Sequence, residues 1–372
     1  MSADKSSKYK QSEEEVIQDE WNQGTLGQFI SLRRGHDLTH RDRRKGTVPV
    51  MGSAGQNGFH NVALAYGPGV TLGRSGASYG QAHFCDVDYW PHNTALYVTD
   101  FKGSDALFIF YLLKSIDFSS HNTGGAQQSL NRNFIYPIQV ALPNFIEQKN
   151  ISSAISDMDS LISSLNQLIA KKRDIQQAAM QQLLTGQRRL PGFSGDWKNR
   201  RLGDIANIKT GSKNNQDKLE DGEYPFYVRS ATIERINSYS HDCEAILVPG
   251  EGNIGSIFHY IDGRFDVHQR VYAITQFVGD VSGKYVHLFM SVHFGAHAMQ
   301  NSVKATVDSL RLPTFQVFEV LLPPTKEEQI AIANILHDIE SELTALEARR
   351  DKALQLKQGM MQELLTGRIR LV

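Results

Sequence analysis

The strongest constraint on the fold of this chain is an internal repeat. Residues 180–190 read MQQLLTGQRRL, and residues 361–371 read MQELLTGRIRL, 181 positions later in a chain of 372. Nearer the N-terminus, Trp21 and the residues after it match Trp197 and the residues after that, at an offset of 176. A repeat of this length predicts two diverged copies of one structural unit.

The offset between the copies changes within their first parts and is constant in their last parts. It is 176 at Trp21, whereas from Asn144 onward it stays at 181 to the end of the chain. Loops accept insertions, but a helix whose register is fixed by a partner does not. Each copy is therefore expected to contain a globular part followed by a long helix.

Apolar residues in the two long segments recur at alternating steps of four and three. This heptad spacing keeps one apolar seam facing a partner helix, which is typical of a coiled coil. Since the seam extends over about five heptads in both copies, we expect the two helices to pair with each other. Its central members are Ile155, Met158, Ile162, Leu165, Ile169, Leu336, Ile339, Leu343 and Leu346. Polar seam positions at Lys172, Gln176, Arg350 and Lys357 are expected to weaken the pairing toward one end.

The sequence also predicts where both long helices begin and end. Thr325 and Glu328 form a capping-box pattern, in which Thr325 accepts from first-turn amides and Glu328 reaches back, and Asn144 and Glu147 occupy the same two positions in the first copy. A Thr-Gly pair follows each helix. Its glycine, at 186 or 367, is predicted to adopt the left-handed conformation that ends a helix.

The two globular parts read as mixed α and β structure. Short apolar and β-branched runs alternate with glycine-rich turns, as expected for strands of a curved sheet. The predicted strands include residues 70–72, 95–98, 245–248 and 270–274, and residues 105–114 and 284–292 predict short helices. Each globular part has roughly 120 to 125 residues, which is enough for a core of its own.

Composition places the chain among globular proteins without a membrane span. It is 40% hydrophobic and 21% charged, and it contains no apolar run of about twenty residues. Residues 1–20 are polar and rich in acidic side chains, so they predict a solvated tail and no secretory signal. Cys85 and Cys243 lack the partners of a zinc site or a disulfide framework and predict buried thiols in a reducing compartment. The expected location is the cytoplasm.

The sequence motifs do not predict catalysis. Residues 282–285, SGKY, lack the hydroxyl and the glycine spacing of a phosphate-binding loop. The glycine-rich segments 73–80 and 250–255 each precede another strand, so they predict tight turns and not dinucleotide sites. The chain has no Asn/Asp-Pro-Pro-aromatic tetrapeptide of the amino-methyltransferase kind, and its 13 histidines show no metal-ligand spacing. We therefore expect no enzyme activity, no cofactor and no metal ion.

Both globular parts carry polar side chains suited to reading DNA. Arginine pairs with guanine edges, asparagine and glutamine pair with adenine edges, and lysine and arginine also hold phosphates. The candidates in the first part are Arg33, Arg34, Arg43, Gln56, Asn57, Arg74, Ser78, Tyr79, His92, Asn93, Gln127, Gln128, Asn131 and Arg132. The candidates in the second part are Lys209, Lys213, Arg229, Asn253, His268, Arg270, Lys304 and Arg311. The net charge of −1 argues against tight unaided binding, so partners are expected to supply positive surface.

Several segments together resemble the DNA-specificity subunit of Type I restriction-modification systems. The resemblance extends from about Trp21 to Val372. It is carried by GRSG at 73–76, HNT at 92–94, SLNRN at 129–133, LPNFIEQ at 142–148, LPPTKEEQ at 322–329 and the two LLTG helix ends. It implies an α+β protein with a pseudo-two-fold internal repeat, in which two α/β target-recognition domains are separated by two long helices that form an antiparallel coiled coil.

This resemblance assigns a role to each segment. The implied boundaries are a polar N-terminal tail at 1–20, target-recognition domain 1 at 21–143, a central spacer helix at 144–186, a linker at 187–196, target-recognition domain 2 at 197–323, a C-terminal spacer helix at 324–367 and a C-terminal tail at 368–372.

The resemblance also implies a function and partners. A specificity subunit reads a bipartite asymmetric site on double-stranded DNA, with one half-site for each domain. Two modification subunits would dock on the helices and methylate adenine, and restriction subunits would add ATP-dependent translocation and cleavage. The gap between the half-sites is expected to follow the length of the helices, because domains on a rigid spacer contact patches at a set separation.

Two other functions are compatible with parts of this sequence. One is a protein-protein scaffold with a coiled-coil core that binds no DNA. The other is a fused methyltransferase or nuclease with disguised motifs, against which the missing cofactor and catalytic tetrapeptides argue. A gel shift with random and bipartite duplexes distinguishes the scaffold, and incubation with a labelled methyl donor distinguishes the enzyme.

Overall fold

The computed structural model describes residues 21–121, 129–301 and 309–371, which belong to two compact units. Unit 1 is drawn from residues 1–166 and 348–372, and unit 2 from residues 167–347. The predicted polar tail at 1–20 lies outside the described residues.

The first copy of the repeat forms the elements from β1 to α4. They are β1 Asn22–Thr25, α1 Leu26–Phe29, β2 Ser31–Arg34, β3 Val48–Gly52, β4 Gly55–His60, β5 Gly69–Gly73, β6 Ala82–Cys85, β7 Trp90–Pro91, β8 Ala95–Asp100, α2 Ala106–Ser115, α3 Arg132–Ile135, β9 Gln139–Leu142 and α4 Phe145–Leu184. A short 3-10 turn occupies Gly76–Ser78.

The second copy forms the elements from β10 to α8. They are β10 Lys198–Arg201, α5 Leu202–Ile205, β11 Asn207–Thr210, β12 Tyr224–Tyr227, β13 Glu234–Ile236, β14 His241–Pro249, β15 His259–Val267, β16 Val271–Thr275, α6 Gly283–Asn301, α7 Leu312–Gln316, β17 Glu319–Leu322 and α8 Lys326–Leu364. Another 3-10 turn lies at Asn215–Asp217.

The two copies build their sheets on the same plan with one difference. Unit 1 has a four-stranded sheet in the order β2-β8-β5-β6 and a three-stranded sheet in the order β4-β3-β7. Unit 2 joins the corresponding strands into one six-stranded sheet in the order β11-β16-β14-β15-β12-β13. The long strand β15 takes the places of both β6 and β7, because it pairs with β14 along most of its length and with β12 at its end.

Most predicted elements of the globular parts are confirmed, and one helix is longer than predicted. The predicted strands at 70–72, 95–98 and 245–248 lie within β5, β8 and β14, and the predicted helix at 105–114 corresponds to α2 with Asp105 as its N-cap. The helix predicted at 284–292 is α6, which continues to Asn301. Phe294 and Ala298 are buried and extend its apolar face, but Gly295 and His297 between them conceal the helical period.

The two long helices pair in antiparallel order, and each unit contains one part of the pair. In unit 1, Asp159 near the middle of α4 accepts a hydrogen bond from Lys357 near the end of α8 at 2.5 Å. In unit 2, Lys172 lies 2.6 Å from Glu342 in the first half of α8. Positions later in α4 thus meet positions earlier in α8. The α+β fold with a pseudo-two-fold repeat and a helix pair is confirmed.

The helices pack on the domain cores through their apolar residues. Ile155 and Leu364 belong to the core of unit 1, and Leu184, Ile332 and Leu336 belong to the core of unit 2. Among the other seam residues, those that are buried are Ile162, Leu165 and Ile169, and those that are half-buried are Met158, Ile339, Leu343 and Leu346. Two of the polar seam residues, Lys172 and Lys357, form ion pairs with the opposite helix, and the expectation that polar seam positions weaken the pairing stays a prediction.

The helix ends follow the prediction except for the two glutamates. Thr325 Oγ1 accepts a hydrogen bond from the Glu328 amide at 3.2 Å, and Gly186 and Gly367 have φ of 70° and 75°. The carboxylate of Glu328 does not complete a capping box as predicted, because Arg189 binds both of its oxygens. Among the described residues, none of the helices is long and apolar enough to cross a membrane.

Candidate nucleic-acid interface

Loops from distant parts of the sequence meet at one end of the sheets in unit 1. A β-bridge pairs His36 with His92, and another pairs Ser75 with Ser129. The hydroxyl of Ser53 donates to the Ser75 carbonyl at 2.8 Å. We call residues 34–37, 53–57, 74–78, 92–94 and 129–132 the loop face of unit 1.

Unit 2 has a matching loop face with the same backbone contacts. We define it as residues 209–214, 228–232, 250–253, 268–270 and 309–311. Two β-bridges pair Lys213 with His268 and Glu251 with Ser309. These are the counterparts of the two bridges in unit 1.

Three of the candidate residues in unit 1 lie together around the His92–Thr94 turn. Arg74 Nη1 donates to the carbonyl of Asn93 at 3.2 Å, and the Asn93 side-chain amide donates to the carboxylate of Asp37. Asp37 also lies 3.9 Å from Arg34. The structure thus places Arg34, Arg74 and Asn93 in one polar cluster with an acidic residue, Asp37, that is absent from the sequence-based candidates.

His92 and His268 hold the same turn in the two units. The amide of Thr94 donates to His92 Nδ1 at 3.4 Å, and the amide of Arg270 donates to His268 Nδ1 at 3.0 Å. Burial, followed by the positive charges of Arg229 and Arg270, lowers the pKa of His268. The lowered pKa of His268 and the backbone amide that donates to its Nδ1 both favour a neutral ring at His268.

The remaining candidates of unit 1 differ in exposure and in the element on which they lie. Gln56 and Asn57 are exposed on β4, Arg43 donates to the Asn57 carbonyl at 2.6 Å, and Ser78 lies half-buried in the 3-10 turn. Arg33 is exposed on β2.

Tyr79, Asn131 and Arg132 also make contacts within their own domain. Tyr79 donates its hydroxyl to the His121 carbonyl at 2.8 Å, and the Asn131 side chain accepts from the Asn133 amide to cap α3. Arg132 Nη1 lies 3.5 Å from the Leu32 carbonyl. Gln127 and Gln128 fall outside the described residues.

In unit 2, an acidic side chain joins two of the candidate arginines. Glu251 Oε2 lies 3.3 Å from Arg229 Nη1, and its Oε1 lies 3.3 Å from Arg270 Nη1. Glu251 was absent from the sequence-based candidates, and only its place between glycines in a loop offered a signal. Lys209, Asn253 and Arg311 are exposed, Lys213 is half-buried, and Lys304 is outside the described residues.

The backbone position of Arg74 carries no side chain in the second copy. The Leu130 amide donates to the Arg74 carbonyl, and the Leu310 amide donates to the Gly250 carbonyl, each at 2.8 Å. Gly250 therefore occupies the position of Arg74. A Cβ there would lie 2.8 Å from the Tyr272 ring, which explains why no side chain stands at this position.

The arrangement has no feature of a metal centre. Within residues 21–121, 129–301 and 309–371, no group of three or more His, Cys, Asp or Glu side chains is placed to hold a metal ion. What the two loop faces present is a mixture of guanidinium, amide, hydroxyl and carboxylate groups, which form directional hydrogen bonds with base edges and charge contacts with phosphates.

Two copies of one α/β domain, each with a polar loop face and a share of an antiparallel helix pair, define the class of protein to which this fold belongs. The sequence profile described as the Type I restriction modification DNA specificity domain matches the chain at residues 18–171 and 194–356. These two matches cover most of the chain, and the chain belongs to this family.

Individual relatives are distant. The chain is 27% identical over 171 residues to the Type I restriction enzyme EcoDI specificity subunit of Escherichia coli, a match that covers 46% of this chain and only 37% of that protein. It is 23% identical over 305 residues to the MjaVIII specificity subunit of Methanocaldococcus jannaschii, covering 72% of this chain and 71% of that protein.

A solved structure shares the fold. The S subunit of a Type I restriction-modification system from M. genitalium superimposes with a TM-score of 0.69 at 15% sequence identity, over 93% of this chain and 96% of that chain. At this identity the similarity shows the fold and not the function.

Proposed function

We propose that this chain is a DNA-specificity subunit in which each loop face reads one half of a bipartite DNA site. The observation that carries this proposal is the repetition of one backbone frame with different polar side chains. His36 and Ser75 in unit 1 correspond through their bridges to Lys213 and Glu251 in unit 2, whereas the turn is held by a histidine in both units, His92 and His268. A common frame with different hydrogen-bonding groups is what two readers of unlike half-sites need.

The proposal extends to the partners. The net charge of −1 is too low for a protein that holds a duplex alone, because affinity for DNA without sequence preference comes from neutralised phosphates. We propose that two methyltransferase subunits bind this chain and supply that surface, and that restriction subunits join them for ATP-dependent translocation and cleavage. The chain would perform no catalysis, bind no cofactor of its own and act in the cytoplasm.

The sequence-based candidates on the two loop faces are proposed as the contacts with DNA. Arg34, Arg74 and Asn93 in unit 1 and Arg229 and Arg270 in unit 2 are the strongest, because each is at least partly exposed and lies where several loops meet. Tyr79 is weaker, since its hydroxyl is engaged with the His121 carbonyl of its own domain.

The experiment is a comparison of DNA binding with and without partners. The full chain, alone and with the modification subunits encoded beside it, is mixed with a pool of duplexes of random sequence, and the bound fraction is sequenced. We expect enrichment of two short motifs separated by a fixed number of unspecified base pairs. A bound pool that stays random under both conditions would favour the protein-protein scaffold. Methyl transfer by the chain alone, measured with a labelled methyl donor, would indicate an enzyme.

A further inference from the structure

The two loop faces place different side chains at three equivalent backbone positions. The equivalence follows from repeated hydrogen bonds. The Arg74 amide donates to the Thr94 carbonyl at 3.0 Å in unit 1, and the Gly250 amide donates to the Arg270 carbonyl at 2.8 Å in unit 2. Thr94 of unit 1 therefore corresponds to Arg270 of unit 2.

A second repeated hydrogen bond fixes the other strand of the frame. The His92 amide donates to the Met51 carbonyl at 2.8 Å, and the His268 amide donates to the Tyr227 carbonyl at 3.0 Å. The residue two positions after Met51 is Ser53, and the residue two positions after Tyr227 is Arg229.

The third position is set by the β-bridges. Ser75 pairs with Ser129 in unit 1, and Glu251 pairs with Ser309 in unit 2. The three positions thus carry Ser53, Ser75 and Thr94 in one unit.

The same positions carry three charged residues, Arg229, Glu251 and Arg270, in unit 2. We call these residues the triad.

The two sets of side chains serve different purposes. In unit 1 the small hydroxyls are used within the protein, because Thr94 Oγ1 accepts from the Ser53 amide at 3.2 Å and Ser53 Oγ donates to the Ser75 carbonyl at 2.8 Å. In unit 2 two of the same positions carry arginines whose guanidinium groups are exposed to solvent. The side chains of Arg229 and Arg270 are 46% and 58% exposed, whereas that of Glu251 between them is 26% exposed.

We propose that the triad is a base-reading element of unit 2, that its target is guanine, and that Glu251 is its positioning residue. The inference rests on the proposed function. A guanidinium group held from one side by a carboxylate offers two parallel N–H donors on another edge, and the O6 and N7 atoms of guanine in the major groove accept such a pair.

The carboxylate adds selectivity as well as orientation. Two arginines alone attract any phosphate, whereas Glu251 offsets one of their two positive charges and so reduces binding that ignores sequence. Holding the two long side chains in place also reduces the conformational entropy that each loses when it meets a base. The buried ring of His268 keeps the backbone under Arg270 fixed through its 3.0 Å contact with the Arg270 amide.

The test uses the full chain assembled with its modification subunits and a pool of duplexes of random sequence. One variant carries the residues of unit 1 at the three positions, namely Arg229→Ser, Glu251→Ser and Arg270→Thr together. A second variant carries Glu251→Gln alone, which keeps the shape of the side chain and removes its charge. The control is Asp242→Asn, which breaks an exposed 2.9 Å ion pair with Arg264 near the opposite end of β14.

We expect the wild-type chain to select a half-site that contains a guanine. The preference for this guanine should depend on the triad. The triple variant should lose preference for that guanine by roughly 5- to 150-fold and should leave the other half-site unchanged. Glu251→Gln should bind random duplexes more tightly than wild type, with a salt dependence steeper by about one unit. Asp242→Asn should match wild type in both measurements.

The outcomes separate this inference from the proposed function. If the wild-type chain selects no motif, both are overturned. If it selects a bipartite motif that the triple variant and Glu251→Gln leave unaltered, or if the altered position is not guanine, the triad is not the reader and the proposed function stands. Thermal unfolding of every variant identifies a folding defect, and in that case the Glu251→Gln result decides alone.

Discussion

At the scale of single residues, a Glu-Gln pair in each copy links three distant segments. Glu147 is 1% exposed and Glu328 is fully buried, and each binds an arginine that follows the opposite long helix in the same unit. The adjacent Gln148 and Gln329 each accept a hydrogen bond from the amide at the start of a domain helix, at 2.9 Å in both units. Because both carboxylates and both glutamines are buried, the loss of an arginine partner leaves a buried charge unpaired, which is energetically costly.

Replacing Arg189 by alanine tests this junction. The substitution leaves the buried Glu328 carboxylate without its partner, whose nitrogen lies 2.7 Å away. We expect a loss of about 3–5 kcal/mol in the stability of unit 2, which is measurable as a lower midpoint in denaturant unfolding. The control is Arg173→Ala in the same unit, which breaks an ion pair with Glu347 whose side chains are 59% and 32% exposed and should cost about 0–1 kcal/mol. Equal effects of the two substitutions would contradict the argument.

Arg74 gives a residue-scale prediction for recognition. Its side chain lies on the loop face of unit 1, away from the long helices, and one of its nitrogens is oriented by the Asn93 carbonyl. We expect Arg74→Ala to change one half-site, with a loss of discrimination of about 1–3 kcal/mol at one base pair. Assembly with partner subunits should be unaffected in size-exclusion chromatography. Loss of assembly with an unchanged DNA preference would show that Arg74 serves another role.

At the scale of elements, each long helix ends against a tryptophan of its own unit. Gly186 follows α4 near Trp197, and Gly367 follows α8 near Trp21, both in the left-handed backbone conformation. A Cβ at either glycine would lie 3.3 Å from the indole ring. The glycine thus permits both the sharp end of the helix and the close approach of the chain to the first strand of the domain.

Two glycine-to-alanine substitutions in or after α8 should have opposite effects. Gly367→Ala places a side chain at φ 75° beside Trp21 and should destabilise unit 1 by about 1–2 kcal/mol. Gly359 lies within α8, where an added Cβ meets nothing within 4 Å, so Gly359→Ala should stabilise the helix by about 0.5–1 kcal/mol. Thermal unfolding of both variants measures the difference. A shift in the same direction for both would contradict the assignment of Gly367 as a required helix end.

At the scale of the whole molecule, each of the two long helices belongs to both units. α4 begins in unit 1 and ends in unit 2, whereas α8 begins in unit 2 and ends in unit 1. Since each helix continues without a break for 40 or 39 residues, its length is fixed by the backbone hydrogen bonds of the helix. If the proposed function is correct, helix length sets the gap between the half-sites.

Removing one heptad from each long helix tests the relation between helix length and DNA site. Deleting residues 163–169 together with their counterparts 344–350 preserves the heptad register of both helices. Each helix becomes about 10 Å shorter, which corresponds to about three base pairs. We expect the selected gap to shrink by that amount while both half-sites stay the same. An unaltered gap would refute the relation, and deletion from one helix alone should impair folding because the ion pairs and seam lose their partners.

Much of the architecture was predictable because the helices show a regular spacing of apolar residues and short end motifs. The heptad steps from Ile155 to Ile169 and the Thr-Gly pairs after each helix depend on residues close in sequence, and the constant offset is visible by comparing the two copies directly. Such patterns report helix length, register and ends directly. The DNA-binding role of the candidate residues on the two loop faces remains a prediction, since it is defined by contacts with DNA and not by contacts within the chain.

The sequence by itself determined the two copies, the long helices, their seam and the left-handed ends at Gly186 and Gly367. Only the tertiary structure decided that Glu328 binds Arg189 and not its own helix end, that β15 merges two sheets into one, and that Arg229, Glu251 and Arg270 meet at the positions held by hydroxyl residues in the other unit. The reason is physical. Periodicity fixes which face of an element is apolar, but contacts between residues far apart in sequence depend on how loops of unequal length close, and no local pattern encodes that.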